Sequence, residues 1–231
     1  MRLPRWRAKP ESASQGYDDK LLIDVIIRKT AAIRDAARID DVIPGEAVLP
    51  TITAIAAADT AGPLHVLDFG GGAGLHYFVA RQAFPQRQFR WAVAETPSMA
   101  TGASRFADGR LCFFTSIDEA AHWLGGIGLI HCVSALQYVP EPEATLHGLV
   151  TLGASSMLWA KLMLGDRREQ FAQTSRLRDN GPGPLPPGVA DRSVIYSGIR
   201  VARGTFLDAH RAAGYRLVWK AAETDSFLFA K

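Results

Sequence analysis

The sequence predicts an α/β fold in which helices cover both faces of a mostly parallel sheet. Short apolar runs alternate with helical patterns through the middle of the chain, as they do in parallel sheets. A glycine-rich turn at 70–74 joins the first run to a helix. The last two runs are separated by only a short turn, so these strands must pair antiparallel, as a hairpin. A chain of 231 residues fits one such domain with a modest insertion.

Two helices are expected before the sheet. From Asp18, which is placed to cap the first helix, apolar residues recur at three- and four-residue steps. A second apolar helix covers 47–58 and is entered or broken at Pro50. With the irregular arm that precedes them, these helices are interpreted as an N-terminal extension over 1–60, followed by a main domain over 61–231.

Seven strands are then expected, with an irregular segment before the last two. The strands cover 65–69, 89–95, 110–114, 128–133, 156–160, 215–220 and 225–231. Residues 165–198 form a Gly- and Pro-rich insertion, and an irregular connection of this length is typically a lid or a disordered excursion. The helix before the hairpin should begin at a capping box of Thr205 and Asp208 and end at Gly214.

Composition and charge exclude several classes of protein. With 48% hydrophobic and 21% charged residues, the chain is globular rather than disordered or coiled-coil. Four basic residues in the arm account for the net charge of +3, so nucleic-acid binding is not predicted. No run reaches the ~18 apolar residues of a membrane helix, and no secretory signal is visible. Cys112 and Cys132 lack metal or redox spacing, so we expect a reduced, cytoplasmic protein without stable membrane insertion.

The glycine-rich turn is the segment most informative about chemistry. An apolar strand ends near Asp68 and runs into glycines at 70, 71, 72 and 74, which allow a sharp turn and close approach to a ligand. A dinucleotide fingerprint would need a glycine at Leu75, and Asp68 would repel a pyrophosphate. The turn therefore favours a ligand with a positive centre and no phosphate, such as S-adenosylmethionine.

A second acid supports this interpretation. Glu95 ends the second strand, where a carboxylate can accept hydrogen bonds from both hydroxyls of a ribose. Asp68 or Glu95 alone could be a helix cap or a solvated charge. Together, at neighbouring strand ends beside one glycine turn, they predict a nucleoside site.

The segment from Asp68 to Gly74 resembles the D-x-G-x-G-x-G motif of class I S-adenosylmethionine-dependent methyltransferases. Segments around Tyr17, Glu95, Tyr138 and Tyr196 are similar to a methyltransferase family found in bacterial surface-polysaccharide loci, which implies a role in polysaccharide biosynthesis. The resemblance implies a Rossmann-like, seven-stranded sheet of order 3-2-1-4-5-7-6. In that order the two cysteines lie about 14 Å apart, at ~4.8 Å per strand, and are expected to be free and buried.

The resemblance also implies roles for individual residues. The expected cofactor-binding residues are Asp68, Gly70, Gly71, Gly72, Gly74, Glu95, Thr96, Ser116, Ile117, Ser134 and Gln137. The glycine turn would hold the methionine end, Glu95 the ribose, and the segment after strand three the adenine. Methyl donor and acceptor would meet after strand four. If the acceptor is a hydroxyl, a general base is needed, and the candidates are His76, His131, Tyr138 and Tyr196.

Several alternatives stay open at this stage. His131 could be an ordinary core histidine, and the tyrosines, including Tyr17, could simply pack. No compact spacing of ligands predicts a metal. The expected partner is a small molecule or sugar that is O-methylated, while the oligomeric state is left undetermined. A cofactor-binding domain without activity, a nicotinamide-dependent oxidoreductase and a protein-binding scaffold are the rival functions.

Overall fold

The protein contains a seven-stranded sheet covered by helices on both faces. A computed structural model describes Gly16 and residues 19–36, 45–59 and 62–231. The helices are α1 (Lys20–Asp35), α2 (Gly45–Ala57), α3 (Leu75–Ala83), α4 (Pro97–Ala103), α5 (Ile117–Leu124), α6 (Pro142–Thr151) and α7 (Arg203–Ala212). The strands are β1 (Leu64–Phe69), β2 (Phe89–Ala94), β3 (Leu111–Phe114), β4 (Leu129–Val133), β5 (Ser156–Ala160), β6 (Leu164–Gly165), β7 (Glu169–Arg176), β8 (Ser193–Ala202), β9 (Arg216–Lys220) and β10 (Phe227–Ala230).

The main sheet has the order β3-β2-β1-β4-β5-β10-β9. The first five strands are parallel, and β10 is antiparallel to both β5 and β9, which confirms the predicted class and the C-terminal hairpin. The two C-terminal strands carry higher numbers than predicted because three strands of the insertion precede them. β1, β2 and β4 are buried almost throughout, as expected for parallel strands with both faces covered.

The insertion is where the structure departs most from the prediction. Residues 165–198 are not irregular, because β7 and β8 pair antiparallel along eight residue pairs and β6 adds to β8. Along β8, buried and exposed residues alternate, so one face of this small sheet packs inward. β7 carries Phe171 and Ala172 among polar residues, and its partner strand follows only after a Gly- and Pro-rich turn. A local reading of the sequence therefore sees no strand there.

The ends of two helices differ from the predicted caps. Asp19 caps α1, since its Oδ1 accepts the N–H groups of Leu21 and Leu22 at 2.9 and 3.0 Å; Asp18 lies outside the described residues, as do Tyr17 and the basic arm. The predicted capping box is wrong because α7 begins at Arg203, directly after β8, which places Thr205 inside the helix. Gly214 follows the helix with φ +83°, as a helix-ending glycine should.

Both cysteines are free, as predicted, but only Cys132 is buried. Cys112 is partly exposed because β3 forms an edge of the main sheet. Among the described residues, no helix is both long enough and apolar enough to cross a bilayer.

Candidate functional site

The glycine loop between β1 and α3 is shaped so that side chains cannot be accommodated. Gly70, Gly72 and Gly74 have φ of 68°, 59° and 81°, in the left-handed region that favours glycine. A Cβ on Gly70 would lie 2.2 Å from the Cβ of Ala135, and one on Gly71 would lie 2.3 Å from Oδ2 of Asp68. The loop is therefore in close contact with the segment after β4 on one side and with the end of β1 on the other.

Glu95 brings the end of β2 to the same loop. Its Oε1 accepts the N–H of Gly72 at 3.1 Å, and its Oε2 accepts the N–H of Thr96 at 2.7 Å. The residue is 8% exposed, and the Oγ1 of Thr96 accepts the N–H of Met99 at the start of α4. The two features that the sequence singled out, the glycine turn and the acid after β2, thus lie within hydrogen-bonding distance.

Asp68 lies inside the protein rather than on the surface of the site. Its side chain is completely buried and accepts from Nε1 of Trp91 at 3.0 Å and from Nδ1 of His131 at 2.8 Å. Burial alone would raise the pKa of this carboxyl group, but His131 and Trp91 outweigh it and hold the pKa below its ordinary value. In the described arrangement, the carboxylate supports the glycine loop by contact with Gly71.

The two candidate histidines belong to one polar network with Thr51, which the sequence did not single out. Oγ1 of Thr51 lies 2.9 Å from Nε2 of His131 and 3.0 Å from Nδ1 of His76. The two rings are 4.7 Å apart between centroids. Thr51 is on α2, His76 is on α3 immediately after the glycine loop, and His131 is paired with Asp68 in the register of β4 and β1.

His76 differs from His131 in exposure. His131 is completely buried, whereas His76 is partly exposed. Burial lowers the pKa of His76 to about 3, with the neighbouring His131 and Lys161 acting in the same direction and Asp68 opposing them. His76 is therefore a neutral imidazole near pH 7, and one of its nitrogens is available as a hydrogen-bond acceptor.

The ends of β4 and β5 are held in strained conformations. Ser134 and Lys161, which follow these strands, have φ of 55° and 53°, unusual for residues other than glycine. Gln137 is 2% exposed and joins them, because its Nε2 donates to Oγ of Ser134 at 3.3 Å and to the carbonyl of Lys161 at 3.2 Å. Its buried Oε1 has no hydrogen-bond partner in the described part of the chain. Such outliers concentrate at functional sites, and here they lie beside the glycine loop.

Comparison with known proteins identifies the fold. The sequence matches no protein-family model and no curated protein. Among solved structures, it aligns over 100% of its length with 98% of the sugar N-methyltransferase KedS8 from Streptoalloteichus sp, at 14% identity and a TM-score of 0.50. The chain has a methyltransferase fold. A S-adenosylmethionine-dependent methyltransferase from Mesorhizobium loti is similar at 13% identity and a TM-score of 0.49, with 81% and 99% of the two chains covered.

In this methyltransferase fold, the two candidate tyrosines lie apart from the histidine network, in the contact between the loop after β4 and the insertion. Their rings are 5.8 Å apart. The hydroxyl of Tyr138 donates to Oε1 of Gln173 at 2.9 Å, and that of Tyr196 donates to Oδ1 of Asn180 at 2.5 Å. Burial raises the pKa of both phenols, and Tyr196 is only 3% exposed. The hydroxyl of Tyr138 therefore connects the main domain to the insertion, whereas that of Tyr196 forms a bond within the insertion.

The insertion also contacts α1 through hydrogen bonds and apolar packing. Lys29 is 3% exposed, and its ammonium donates to the carbonyls of Arg178 and Gly181 at 2.6 and 3.0 Å. Burial lowers the pKa of Lys29, although Asp179 and Asp191 oppose this shift. The apolar contact beneath these bonds is formed by Leu22, Val25, Leu177, Val194 and Tyr196. The first helix and the insertion thus form one cover beside the ends of β1 and β4.

The segment predicted to meet the adenine lies at the end of β3. The hydroxyl of Ser116 accepts the N–H of Glu119 at 3.4 Å and so caps α5, while Ile117 is buried in the first turn of that helix. Asp118 is exposed. Because β3, β2 and β1 are adjacent and parallel, this segment is at the same edge of the sheet as the glycine loop.

Three residues of the site were missed in the sequence. Thr51 lies in an apolar helix, Lys161 follows a strand and Lys29 is one of several cations on an amphipathic helix. Each of these positions is usually structural, and only the position of Lys161 at a strand end gave a usable signal. In the part of the chain that the structure describes, no group of three or more His, Cys, Asp and Glu side chains is arranged to hold a metal.

Proposed function

We propose that the protein is an S-adenosylmethionine-dependent methyltransferase that O-methylates a small molecule or sugar-type acceptor. The observation that carries the proposal is the contact between the acid after β2 and the glycine loop, in which Glu95 accepts the N–H of Gly72. Proteins that share one fold can have unrelated activities, so the fold alone would not identify the function.

The residues present fit this cofactor better than a dinucleotide. Glu95 places a carboxylate directly against the loop, where a pyrophosphate would be repelled and a ribose diol would be accepted. The loop has no room for side chains at Gly70 and Gly71, because Ala135 and Asp68 pack directly against its backbone and hold it in place. When bound, the cofactor supplies an activated methyl group on a sulfonium.

Each part of the sheet edge then has a role in the proposal. The residues of the glycine loop would hold the amino-acid end, Glu95 and Thr96 the ribose, and Ser116 and Ile117 the adenine. Ser134 and Gln137 would lie between donor and acceptor, and the buried Oε1 of Gln137 is an unused hydrogen-bond acceptor in the described part of the chain. Alignment of the reacting atoms supplies much of the acceleration in such a displacement.

The acceptor class is supported by two observations. The sugar N-methyltransferase KedS8 shares the fold over the whole chain. A neutral histidine, His76, lies immediately beyond the glycine loop and could accept a proton, which a hydroxyl acceptor requires. A role in polysaccharide biosynthesis and a cytoplasmic location, which the free cysteines fit, belong to the same proposal.

Titration calorimetry with S-adenosylhomocysteine tests the cofactor site. We expect micromolar binding by the wild-type protein and at least a tenfold loss in Glu95→Ala, which is about 1.4 kcal/mol. Asp59→Ala is the matched control, because it removes one exposed carboxylate before β1, at the opposite end of the strand. Absence of binding to folded wild-type protein would refute the proposal. Binding of NADH instead would favour the oxidoreductase.

Turnover separates an enzyme from a binding domain. The assay uses S-adenosylmethionine with a labelled methyl group and a panel of sugars and nucleotide sugars. Transfer of the label to a hydroxyl oxygen supports the proposal, and transfer to an amine would correct the acceptor. Cofactor binding without transfer to any member of the panel would favour a non-catalytic domain.

A further inference from the structure

Four polar side chains form a continuous hydrogen-bonded line on one face of the sheet. The line runs from Asp68 on β1 through His131 on β4 and Thr51 on α2 to His76 on α3, with contacts of 2.8, 2.9 and 3.0 Å. The first three side chains are at most 1% exposed, whereas His76 is partly exposed. The line therefore leads from a buried carboxylate to its one partly exposed member, His76.

With His131 as a neutral imidazole, the chemistry of the groups gives each hydrogen bond in the line one direction. A carboxylate only accepts, so Nδ1 of His131 donates to Asp68. When His131 is neutral, its Nε2 accepts, and the hydroxyl of Thr51 donates to it. Thr51 has a single proton, so its oxygen accepts from Nδ1 of His76. The lone pair of His76 is then on Nε2.

We propose that this line is a proton relay, in which Nε2 of His76 takes the proton of the acceptor hydroxyl and Thr51 positions His76 and passes the charge inward to His131. The inference rests on the proposed methyltransferase activity and deepens it, because a relay of this kind serves an acceptor that must lose a proton from oxygen. It also selects one base, His76, from the four candidates.

The proposed step balances without any further reactant. The acceptor oxygen forms a bond to the methyl carbon, which leaves sulfur with the bonding electron pair, and the O–H proton moves to Nε2 of His76. Nδ1 of His76 passes its proton to the oxygen of Thr51, and the hydroxyl proton of Thr51 moves to Nε2 of His131. The product state has a His131 imidazolium beside the Asp68 carboxylate, and one proton has moved inward.

The surroundings of His76 explain why a relay is needed. The charged and titratable groups that face it are His131, Asp68 behind that ring, and Lys161 after β5. With a pKa of about 3, His76 is a poor final holder of a proton. His131 is in direct contact with the buried carboxylate of Asp68, which stabilises a positive charge on the ring. The inner end of the line therefore places the proton in direct contact with a carboxylate, at 2.8 Å.

Nitrogen-15 NMR of the histidine rings tests the hydrogen arrangement without any acceptor. The samples are wild type, Thr51→Val, which keeps the shape but loses the hydroxyl, and Thr51→Ser, which restores it. We expect His76 to carry its proton on Nδ1 in wild type and Thr51→Ser near pH 7, and to lose this preference in Thr51→Val. An Nε2–H form of His76 in wild type would overturn the proposal.

The reactivity of Nε2 distinguishes a relay from a purely structural network. Diethyl pyrocarbonate modifies accessible, unprotonated imidazole nitrogens, and the sites can be mapped by mass spectrometry, with His76→Asn as the control for assignment. We expect His76 to react in wild type and Thr51→Ser, and at least fivefold more slowly in Thr51→Val. Buried His131 should not react in any of them. An unreactive His76, or equal rates in all three proteins, would contradict the relay.

The same samples keep the two proposals apart. Titration with S-adenosylhomocysteine is repeated on each variant, and we expect the affinity to stay within twofold of wild type because none of the substitutions touches Glu95 or the glycine loop. If the ligand does not bind, the proposed function fails whatever the histidine spectra show. If it binds and His76 has the wrong tautomer or no reactivity, only the relay fails.

Discussion

The histidine pair and the tyrosine pair are both close to the site, yet their hydrogen-bond partners differ in charge. His76 and His131 are joined through Thr51 to a buried carboxylate, whereas Tyr138 and Tyr196 donate to the neutral amides of Gln173 and Asn180. A proton taken by the histidines has a negative charge to stabilise it. A proton lost by either tyrosine would leave a buried phenolate, which burial disfavours.

This difference separates the two pairs of candidate residues by the charge of their hydrogen-bond partners. The pKa of both phenols is raised by burial, which keeps the hydroxyl groups protonated near pH 7. Tyr138, through its hydrogen bond to Gln173, acts with Lys29 to attach the insertion to the rest of the protein. The predictions below test whether the two pairs do differ in this way.

The largest expected effect is from removal of the carboxylate that supports the histidines. Asp68→Ala leaves His131 buried without its charged partner, so we expect a loss of about 3–5 kcal/mol in the free energy of unfolding. Urea denaturation measures it, with Asp59→Ala as the control that should stay within about 0.5 kcal/mol. A loss below about 1 kcal/mol would mean that the pair contributes little to the fold.

The same contrast explains what could be predicted from the sequence. The apolar runs, the glycine turn and Glu95 are local patterns, and they predicted the fold class and the contact between the turn and the acid. The strand order was implied by the resemblance to class I methyltransferases. Thr51 and His131 are 80 residues apart in sequence, and β7 pairs with a strand beyond a Gly- and Pro-rich turn. Such contacts depend on how distant elements pack, and no local pattern reports them.

The stability of the protein in acid tests His210, a buried histidine that bonds to a backbone carbonyl where His131 bonds to a carboxylate. Nδ1 of His210 bonds to the carbonyl of Phe206 at 2.8 Å, and burial lowers its pKa to about 4, a shift that this bond only partly opposes. The unfolded chain binds the proton more tightly, so stability should be complete above about pH 6.5 and fall as the pH drops towards 4. This group alone should account for about 3 kcal/mol.

Denaturation of wild type and His210→Leu across that pH range isolates the contribution. The difference in stability between the two proteins should shrink or reverse as the pH falls, since the variant has no imidazole to protonate at this position. Parallel pH profiles for the two proteins would show that His210 does not titrate on unfolding.

Loss of the Thr51 hydroxyl should affect turnover more than stability. If the relay operates, Thr51→Val lowers kcat roughly tenfold to hundredfold with little change in KM, about 1.4–2.8 kcal/mol in the barrier. Thr51→Ser should restore most of the rate. Tyr138→Phe is the comparison from the other pair, and we expect its kcat to stay within about threefold of wild type. Equal losses in Thr51→Val and Tyr138→Phe would remove the distinction between the pairs.

The smallest effect is expected for the tyrosine in the insertion. Tyr196→Phe removes the hydrogen bond to Asn180 and should cost about 1 kcal/mol of stability. Hydrogen exchange should become faster in residues 177–192, while the ring spectra of His76 stay unchanged. A change in the His76 tautomer would show that the two regions are coupled.

The junction of β8 with α7 has a consequence for how ligands enter and leave. The strand ends at Ala202 and the helix begins at Arg203, so no flexible loop separates the insertion from the main domain on that side. The small sheet cannot swing about this junction without breaking regular structure. The rates of ligand association and dissociation should therefore depend on α1 and on its hydrogen bonds from Lys29 to the insertion. Substitution of Lys29 should change these rates more than it changes the affinity.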